Sequence, residues 1–249
     1  MMLKNLEPIP ENVRSTIEEY FTKFINVLPE KIDSIYLYGS VITEDFRPEQ
    51  SDVNSLVLFD SFGSEEISAL RPVVRGGLKK RIIAPLCLSV ENFLRSADVF
   101  PLEFIEIKDK HLLAYGDCDH VNELVIPREH LRAKIEEQIK GKLIRLRQVY
   151  LEHQGLDREL ADILVEAQRQ LFPVFRNLLR FLGMESPPVA KDEIISKLES
   201  RTQFALPPCR QVWEHMTGRS SIKSRTLPVY NDYIEVLLKL AQVIDRMEA

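Results

Sequence analysis

Apolar residues in the first half of the chain follow two repeats, one typical of helices and the other of strands. Residues 11–28 carry apolar side chains at the spacing of an amphipathic helix. Short apolar runs bounded by polar loops predict strands at residues 35–38, 53–58, 81–89, 101–107 and 111–116. Helices are predicted between them at residues 64–77 and 89–94. This alternation predicts an α/β (α+β) fold, a mixed sheet with flanking helices.

The second half of the chain has a different pattern. From Pro127 onward glycine is sparse and apolar residues recur at helical spacing, without a strand-like run. Helices are predicted at residues 128–153, 157–182, 192–200, 208–216 and 228–247, the second of them bent or interrupted near Pro173. The sequence therefore predicts two domains, residues 1–122 with the mixed sheet and residues 123–249 as a C-terminal helical bundle.

Composition and charge narrow the class of protein. At 249 residues, 45% hydrophobic and 29% charged, the chain resembles an ordinary globular protein. No apolar run approaches the roughly 20 residues that span a bilayer, and the first residues include an acid and a proline. We therefore expect a cytoplasmic protein without a membrane partner. The formal charge of −5 argues against nucleic acid as a partner, because nucleic-acid-binding surfaces are usually basic.

Three widely spaced cysteines, Cys87, Cys118 and Cys209, predict neither a disulfide framework nor a zinc site built on a C-x-x-C motif. Around one of them, residues 117–120 read Asp-Cys-Asp-His and bring four possible metal ligands together in sequence. Consecutive residues of one turn rarely converge on a metal, so we favour a solvated loop over a metal site there.

The most informative segment joins two predicted strands. The first strand ends in Gly39-Ser40, and the second begins with Asp52-Val53-Asn54 after a polar loop. Side chains two residues apart on a strand share a face, so Asp52 and Asn54 are predicted to project together while Val53 points into a core. A glycine lets the backbone approach a phosphate, and the following serine adds a hydroxyl and an N–H as donors.

This joint pattern, over residues 36–58, resembles the glycine-serine turn and Asp-x-Asp pair of the polymerase-beta-type nucleotidyltransferase superfamily, in the style of antibiotic adenylyltransferases and minimal nucleotidyltransferases. The resemblance implies that residues 1–122 are a nucleotidyltransferase-like domain. It implies that Gly39 and Ser40 contact the phosphates of ATP or another nucleoside triphosphate, and that Asp52 is a catalytic ligand of Mg²⁺. The acceptor would be a hydroxyl of a small molecule or a protein.

The chain departs from that family at two of three carboxylate positions. Asn54 stands at the second, and Ala84, in the predicted strand 81–89, stands where a third acid is expected. A unit charge about 4 Å from a metal contributes roughly 4 kcal/mol at an effective dielectric constant near 20, so each loss weakens a Mg²⁺ site severely. Asn54 still offers a neutral oxygen. We therefore predict nucleotide binding with weak or lost nucleotidyl transfer.

Two alternatives follow from the same residues. Glu103 or Glu106, in the predicted strand 101–107, would restore activity if either reached Asp52, although we favour solvated or paired positions for both. The alternative to a nucleotide-binding protein is a non-catalytic regulatory or protein-interaction module that uses the degenerate cleft.

Overall fold

The structure is a computed structural model that describes residues 3–43, 46–49, 51–152, 157–188 and 190–247, without the side chains of Asp157 and Arg158. The chain divides into two compact units, Met1–Ile126 and Pro127–Ala249. The first unit is a mixed α/β structure, and the described part of the second unit is helical. This is the predicted fold class, a mixed sheet with flanking helices followed by a helical region.

A four-stranded sheet forms the centre of the first unit, with strand order β3-β2-β1-β4. The strands are β1 Ile32–Tyr38, β2 Asn54–Phe59, β3 Leu86–Ser89 and β4 His111–Tyr115. Strand β1 is antiparallel to both β2 and β4, whereas β2 and β3 are parallel. The two predicted motif strands are therefore direct neighbours, and the Gly39 and Asn54 ends of β1 and β2 lie side by side.

Helices cover both faces of this sheet. They are α1 Glu11–Val27, α2 Ser64–Leu78, α3 Val90–Arg95, α4 Pro101–Asp109 and α5 His120–Glu123. On one face, Ile35 and Val57 pack in a core with Phe24 of α1. On the other face, Tyr36 and Leu58 pack in a second core with aromatic residues of α3 and α4. The alternation along the strands thus supplies two separate cores, because successive side chains point to opposite faces.

The second unit consists of long helices with short connections. They are α6 Arg128–Glu152, α7 Asp157–Phe181, α8 Lys191–Thr202, α9 Pro207–Met216 and α10 Thr226–Asp245. Helix α7 continues through Pro173. Tyr233 of α10 is fully buried and donates to the Gln168 side chain of α7 over 2.7 Å, which ties these two helices together. Among the described residues, no helix is long and apolar enough to cross a membrane.

Two predicted strands differ in the structure. Residues 101–107 form helix α4, because Pro101 occupies a first-turn position and Phe104 and Ile107 bury one helical face at three-residue spacing. Glu103 and Glu106 are consequently exposed on a helix. The predicted strand 81–89 is regular only over Leu86–Ser89, and its beginning makes a single bridge from Ile82 to Val53.

Candidate functional site

The backbone turns sharply at the end of β1. Gly39 has φ +80°, in the left-handed region that favours glycine, and it begins a short 3₁₀ helix, Gly39–Ile42. A Cβ atom at Gly39 would lie 3.1 Å from Nδ2 of Asn54. Tyr38, the last residue of β1, is the cross-strand partner of Asn54. The structure therefore brings Gly39 and Asn54 into contact.

Ser40 is the second residue of this 3₁₀ helix and is partly exposed. Its carbonyl oxygen accepts hydrogen bonds from the backbone N–H of Thr43 over 2.9 Å and from the Thr43 hydroxyl over 3.1 Å. These two hydrogen bonds stabilise the turn between Ser40 and Thr43. Ser40 therefore lies in a closed turn directly after β1.

The residues that precede β2 sit on alternate faces, as predicted. Val53 is 2% exposed and belongs to the core beneath α1 and α2. Its N–H donates to the Arg81 carbonyl over 2.9 Å, and its carbonyl accepts from the Ile83 N–H over 3.3 Å. Asp52 and Asn54 therefore project from the opposite face of this strand.

The carboxylate of Asp52 already has a cationic partner. Nη2 of Arg81 lies 3.1 Å from Oδ1 of Asp52, and both side chains are about half exposed, at 44% and 50%. Arg81 also donates from Nε to the Ser51 carbonyl over 3.3 Å. Its own backbone is left-handed, with φ +59°, a conformation that costs a residue other than glycine about 1–2 kcal/mol. The turn residue just before the Ile82 bridge thus contributes a guanidinium to the site.

In this segment the residue that pairs with Asp52 is Arg81. Ala84 is exposed between the Ile82 bridge and β3, where it lines a surface cavity of about 390 Å³ with Phe24 and Leu70. Both of those residues belong to the α1–α2 core. The expected third position thus faces the side of the sheet that Val53 faces, and the residue that sequence reasoning missed is Arg81. A basic residue at the start of the predicted strand 81–89 was the available signal.

One acidic side chain from α4 does approach the face of the sheet that carries Asn54. Burial, together with the negative charge of Glu106, raises the pKa of Tyr38 above its usual value. Glu106 is therefore near Tyr38, the strand partner of Asn54. Glu103 lies elsewhere on α4 and is exposed. The only described ion-pair partner of Asp52 is Arg81.

The residues at this site do not fit a Mg²⁺ ion held by protein ligands. Mg²⁺ prefers several oxygen ligands in octahedral geometry and is usually bound through carboxylates plus the substrate phosphates. Here the donors are one carboxylate, which is already paired with Arg81, and the neutral amide of Asn54. A nearby guanidinium repels a divalent cation. The paired guanidinium and carboxylate leave the site close to neutral, without the excess negative charge that a divalent cation needs.

The chain was compared with protein families, curated proteins and solved structures. No family model matches the sequence, and no curated protein matches it. Among solved structures, the chain is similar to spectinomycin adenyltransferase AAD(9) from Enterococcus faecialis, determined with ATP and spectinomycin. The two chains are 14% identical with a TM-score of 0.42, and the match covers 94% of this chain and 98% of that chain. Likeness at this level carries no argument about activity.

Proposed function

We propose that residues 1–122 form a nucleotidyltransferase-like domain that binds a nucleoside triphosphate such as ATP, with nucleotidyl transfer weak or lost. The observation that carries this proposal is the Asp52–Arg81 ion pair, 3.1 Å long, beside the left-handed turn at Gly39. The turn favours phosphate binding at the end of β1. The ion pair disfavours the metal on which transfer depends.

Phosphate binding is supported by the geometry of the turn. Gly39 offers a backbone surface without a Cβ, and Ser40 adds a hydroxyl and an N–H at a partly exposed position. The Asn54 amide lies against Gly39 and supplies a further polar group at the start of β2. These are the residues that the family resemblance assigns to the nucleotide.

Arg81 supplies the positive charge that Mg²⁺ provides in an active enzyme. An exposed arginine–carboxylate pair contributes only about 0.2–1 kcal/mol, so its two partners separate at little cost. A triphosphate carries several negative charges, and a guanidinium binds phosphate oxygens in a bidentate manner. We therefore expect Arg81 to exchange Asp52 for the phosphates. Binding of this kind needs no metal.

Any residual transfer would move a nucleoside monophosphate to a hydroxyl of a small molecule or a protein. Asp52 is the carboxylate available for that chemistry, and Glu106 is the acidic side chain placed near Tyr38 on the same face. With one of the two engaged by Arg81, transfer is expected to be slow or absent.

Calorimetric titration of ATP tests the proposal, with one set of titrations in excess EDTA and another in Mg²⁺. We expect binding in both conditions and at least tenfold weaker binding for Arg81→Gln. The matched control is Arg95→Gln, because Arg95 forms an exposed pair with Glu91 over 2.8 Å in the same unit. Binding that requires Mg²⁺ and survives Arg81→Gln would contradict the proposal and indicate a working metal site.

A second candidate function, a regulatory or protein-interaction module, is supported by the same ion pair, since Arg81 neutralises the cleft carboxylate without any ligand. The same titration separates the two functions. If ATP does not bind at millimolar concentration in either condition, the cleft is not a nucleotide site and the module is the better account.

A further inference from the structure

A second group of polar side chains lies at the other end of β1 from Gly39. Asp33 and Gly39 are six positions apart in sequence, which corresponds to about 20 Å along an extended strand. At the Asp33 end, the chain leaves β4 through Gly116 and enters the short helix α5, His120–Glu123. The group is therefore separate from the candidate nucleotide site.

The backbone of this segment is held tightly against β1. Gly116 has φ +96°, and a Cβ atom there would lie 2.4 Å from the Asp33 carbonyl oxygen. Tyr36, which is fully buried, accepts a hydrogen bond at its hydroxyl from the His120 N–H over 3.0 Å. The same hydroxyl donates to the Cys118 carbonyl over 3.1 Å. One buried tyrosine thus fixes the backbone on both sides of residue 119.

Three side chains of this segment converge. Sγ of Cys118 lies 3.6 Å from Nδ1 of His120 and 3.9 Å from the nearer carboxylate oxygen of Glu123. All three ligand atoms lie within 4.8 Å of one another. In a tetrahedral zinc site with Zn–S near 2.3 Å and Zn–N near 2.1 Å, the sulfur and nitrogen are about 3.6 Å apart. The observed sulfur–nitrogen separation therefore matches one edge of such a tetrahedron.

A carboxylate orients the histidine from behind. Oδ1 of Asp33 lies 2.9 Å from Nε2 of His120, on the far side of the ring from Cys118. A carboxylate there accepts the Nε2 proton, so the lone pair is left on Nδ1, which faces the thiol. Metal-binding histidines usually have this kind of partner, which fixes the tautomer and the ring orientation. Asp33 belongs to β1, so the histidine is oriented from outside the segment that carries Cys118 and Glu123.

We propose that Cys118, His120 and Glu123 bind a Zn²⁺ ion, with Asp33 as the positioning residue of His120. One thiolate, one imidazole and one carboxylate are a donor set that zinc favours, whereas Mg²⁺ and Ca²⁺ favour oxygen ligands alone. The exposed side of the cluster leaves the fourth position to water. Asp119 is not a ligand in this arrangement, because it caps α5 through the Asn122 N–H and contacts His111 over 3.1 Å.

This proposal revises the interpretation of residues 117–120 as a solvated loop. The ligands are not consecutive. The third one, Glu123, lies three residues after His120 on helix α5, so both side chains share one face. The zinc ion would join the exit of β4 to the first strand through Asp33 and Tyr36.

Cobalt substitution provides the direct test, on the full-length, tag-free protein in a reducing buffer. We expect one Co²⁺ per chain, with thiolate-to-cobalt charge-transfer absorption and the intense visible bands of tetrahedral Co²⁺, both removed by added Zn²⁺. Zinc affinity, measured by competition with a colorimetric chelator, should fall at least tenfold for Cys118→Ser and for His120→Asn. Asp33→Asn should weaken it by about 10-fold or more.

Two matched variants control for thiol content and for histidine content. Cys87→Ser removes a cysteine outside the cluster. His130→Asn removes a histidine whose Nε2 lies 3.9 Å from a carboxylate oxygen of Glu129 and which is not part of the cluster. Both should bind zinc as the wild type does. The proposal is overturned if Co²⁺ gives no thiolate band, or if Cys118→Ser binds zinc as tightly as Cys87→Ser.

Glu123→Gln is a further variant of the cluster. Because Glu123 is exposed, this substitution leaves the core intact, and it should bind zinc several-fold more weakly.

Discussion

At the scale of single residues, the candidate nucleotide site depends on two left-handed backbone positions with different consequences. Gly39 adopts φ +80° without a steric penalty, and its lack of a side chain leaves room for the Asn54 amide. Arg81 adopts φ +59° at an energetic cost, and this conformation accompanies its contact with Asp52. An uncommon backbone conformation at a charged residue beside a cleft is the kind of feature that functional sites retain.

Replacing Gly39 with alanine tests the turn. Gly39→Ala places a Cβ 3.1 Å from Asn54 Nδ2 in a left-handed conformation, so we expect a loss of about 1–2 kcal/mol in unfolding free energy and weaker ATP binding. Urea unfolding and ATP titration measure the two effects. Gly76→Ala is the control, because a Cβ at Gly76, within α2, meets nothing within 4 Å. Equal stability and ATP affinity for the two variants would rule out a constrained turn.

The sequence identified some residues of the candidate nucleotide site but not all of them. Gly39, Ser40, Asp52 and Asn54 were singled out because strand periodicity and turn chemistry act between near neighbours in sequence. The contact between Arg81 and Asp52 spans 29 positions and depends on how β2 pairs with the segment before β3. Periodicity within one segment carries no information about such a pairing.

At the scale of elements, the sequence predicted strands β1, β2 and β4 and most of the helices. Helix α4, which was predicted as a strand, was the main exception. Its residues satisfy both a two-residue alternation and a three-residue spacing, so the pattern of a short apolar run did not separate strand from helix. In the structure, Pro101 occupies the first turn of α4, a position where proline favours a helix. The consequence is functional, because Glu106 approaches Tyr38 from a helix on one face of the sheet and not from a strand within it.

The beginning of α2 provides a prediction on pH dependence. The Lys31 ammonium and the backbone N–H groups of Glu66 and Gly63 hold the pKa of the buried Glu66 carboxyl below its usual value. A lowered folded-state pKa contributes stability above the unfolded value of about 4.3, and this stability is lost as the pH falls through the folded-state pKa. Glu66→Gln should therefore be less stable than the wild type near neutral pH and should lose less stability on acidification.

Urea midpoints measured from pH 7 down to pH 2 test this expectation. Glu65→Gln serves as the comparison, because Glu65 is exposed on the same first turn of α2. If Glu66→Gln keeps the acid dependence of the wild type, the ion pair with Lys31 does not contribute to the stability of the fold.

At the scale of the whole molecule, the chain consists of two compact units that meet in sequence at Ile126 and Pro127. The described sheet unit has its own apolar cores on both faces, and the helical unit buries residues of its own helices. A unit with its own core is expected to fold alone. The overall class was predictable because the change from mixed spacing to helical spacing occurs once along the chain.

Expression of residues 1–126 alone tests the independence of the first unit. We expect a cooperative thermal transition by circular dichroism, dispersed amide signals in NMR spectra, and ATP affinity within a few-fold of the full chain. A fragment that unfolds without cooperativity would show that the sheet unit depends on the helical unit for its structure.

The central claim is that Arg81, and not a metal ion, provides the positive charge for a nucleotide at this site. ATP titration of Asp52→Asn in excess EDTA tests it most directly, because the substitution removes the competing carboxylate and keeps the shape of the side chain. Our account predicts tighter metal-free ATP binding than in the wild type, by up to about fivefold. Wild-type ATP binding that requires Mg²⁺ and is lost in Asp52→Asn would contradict the account and would identify Asp52 as a working metal ligand.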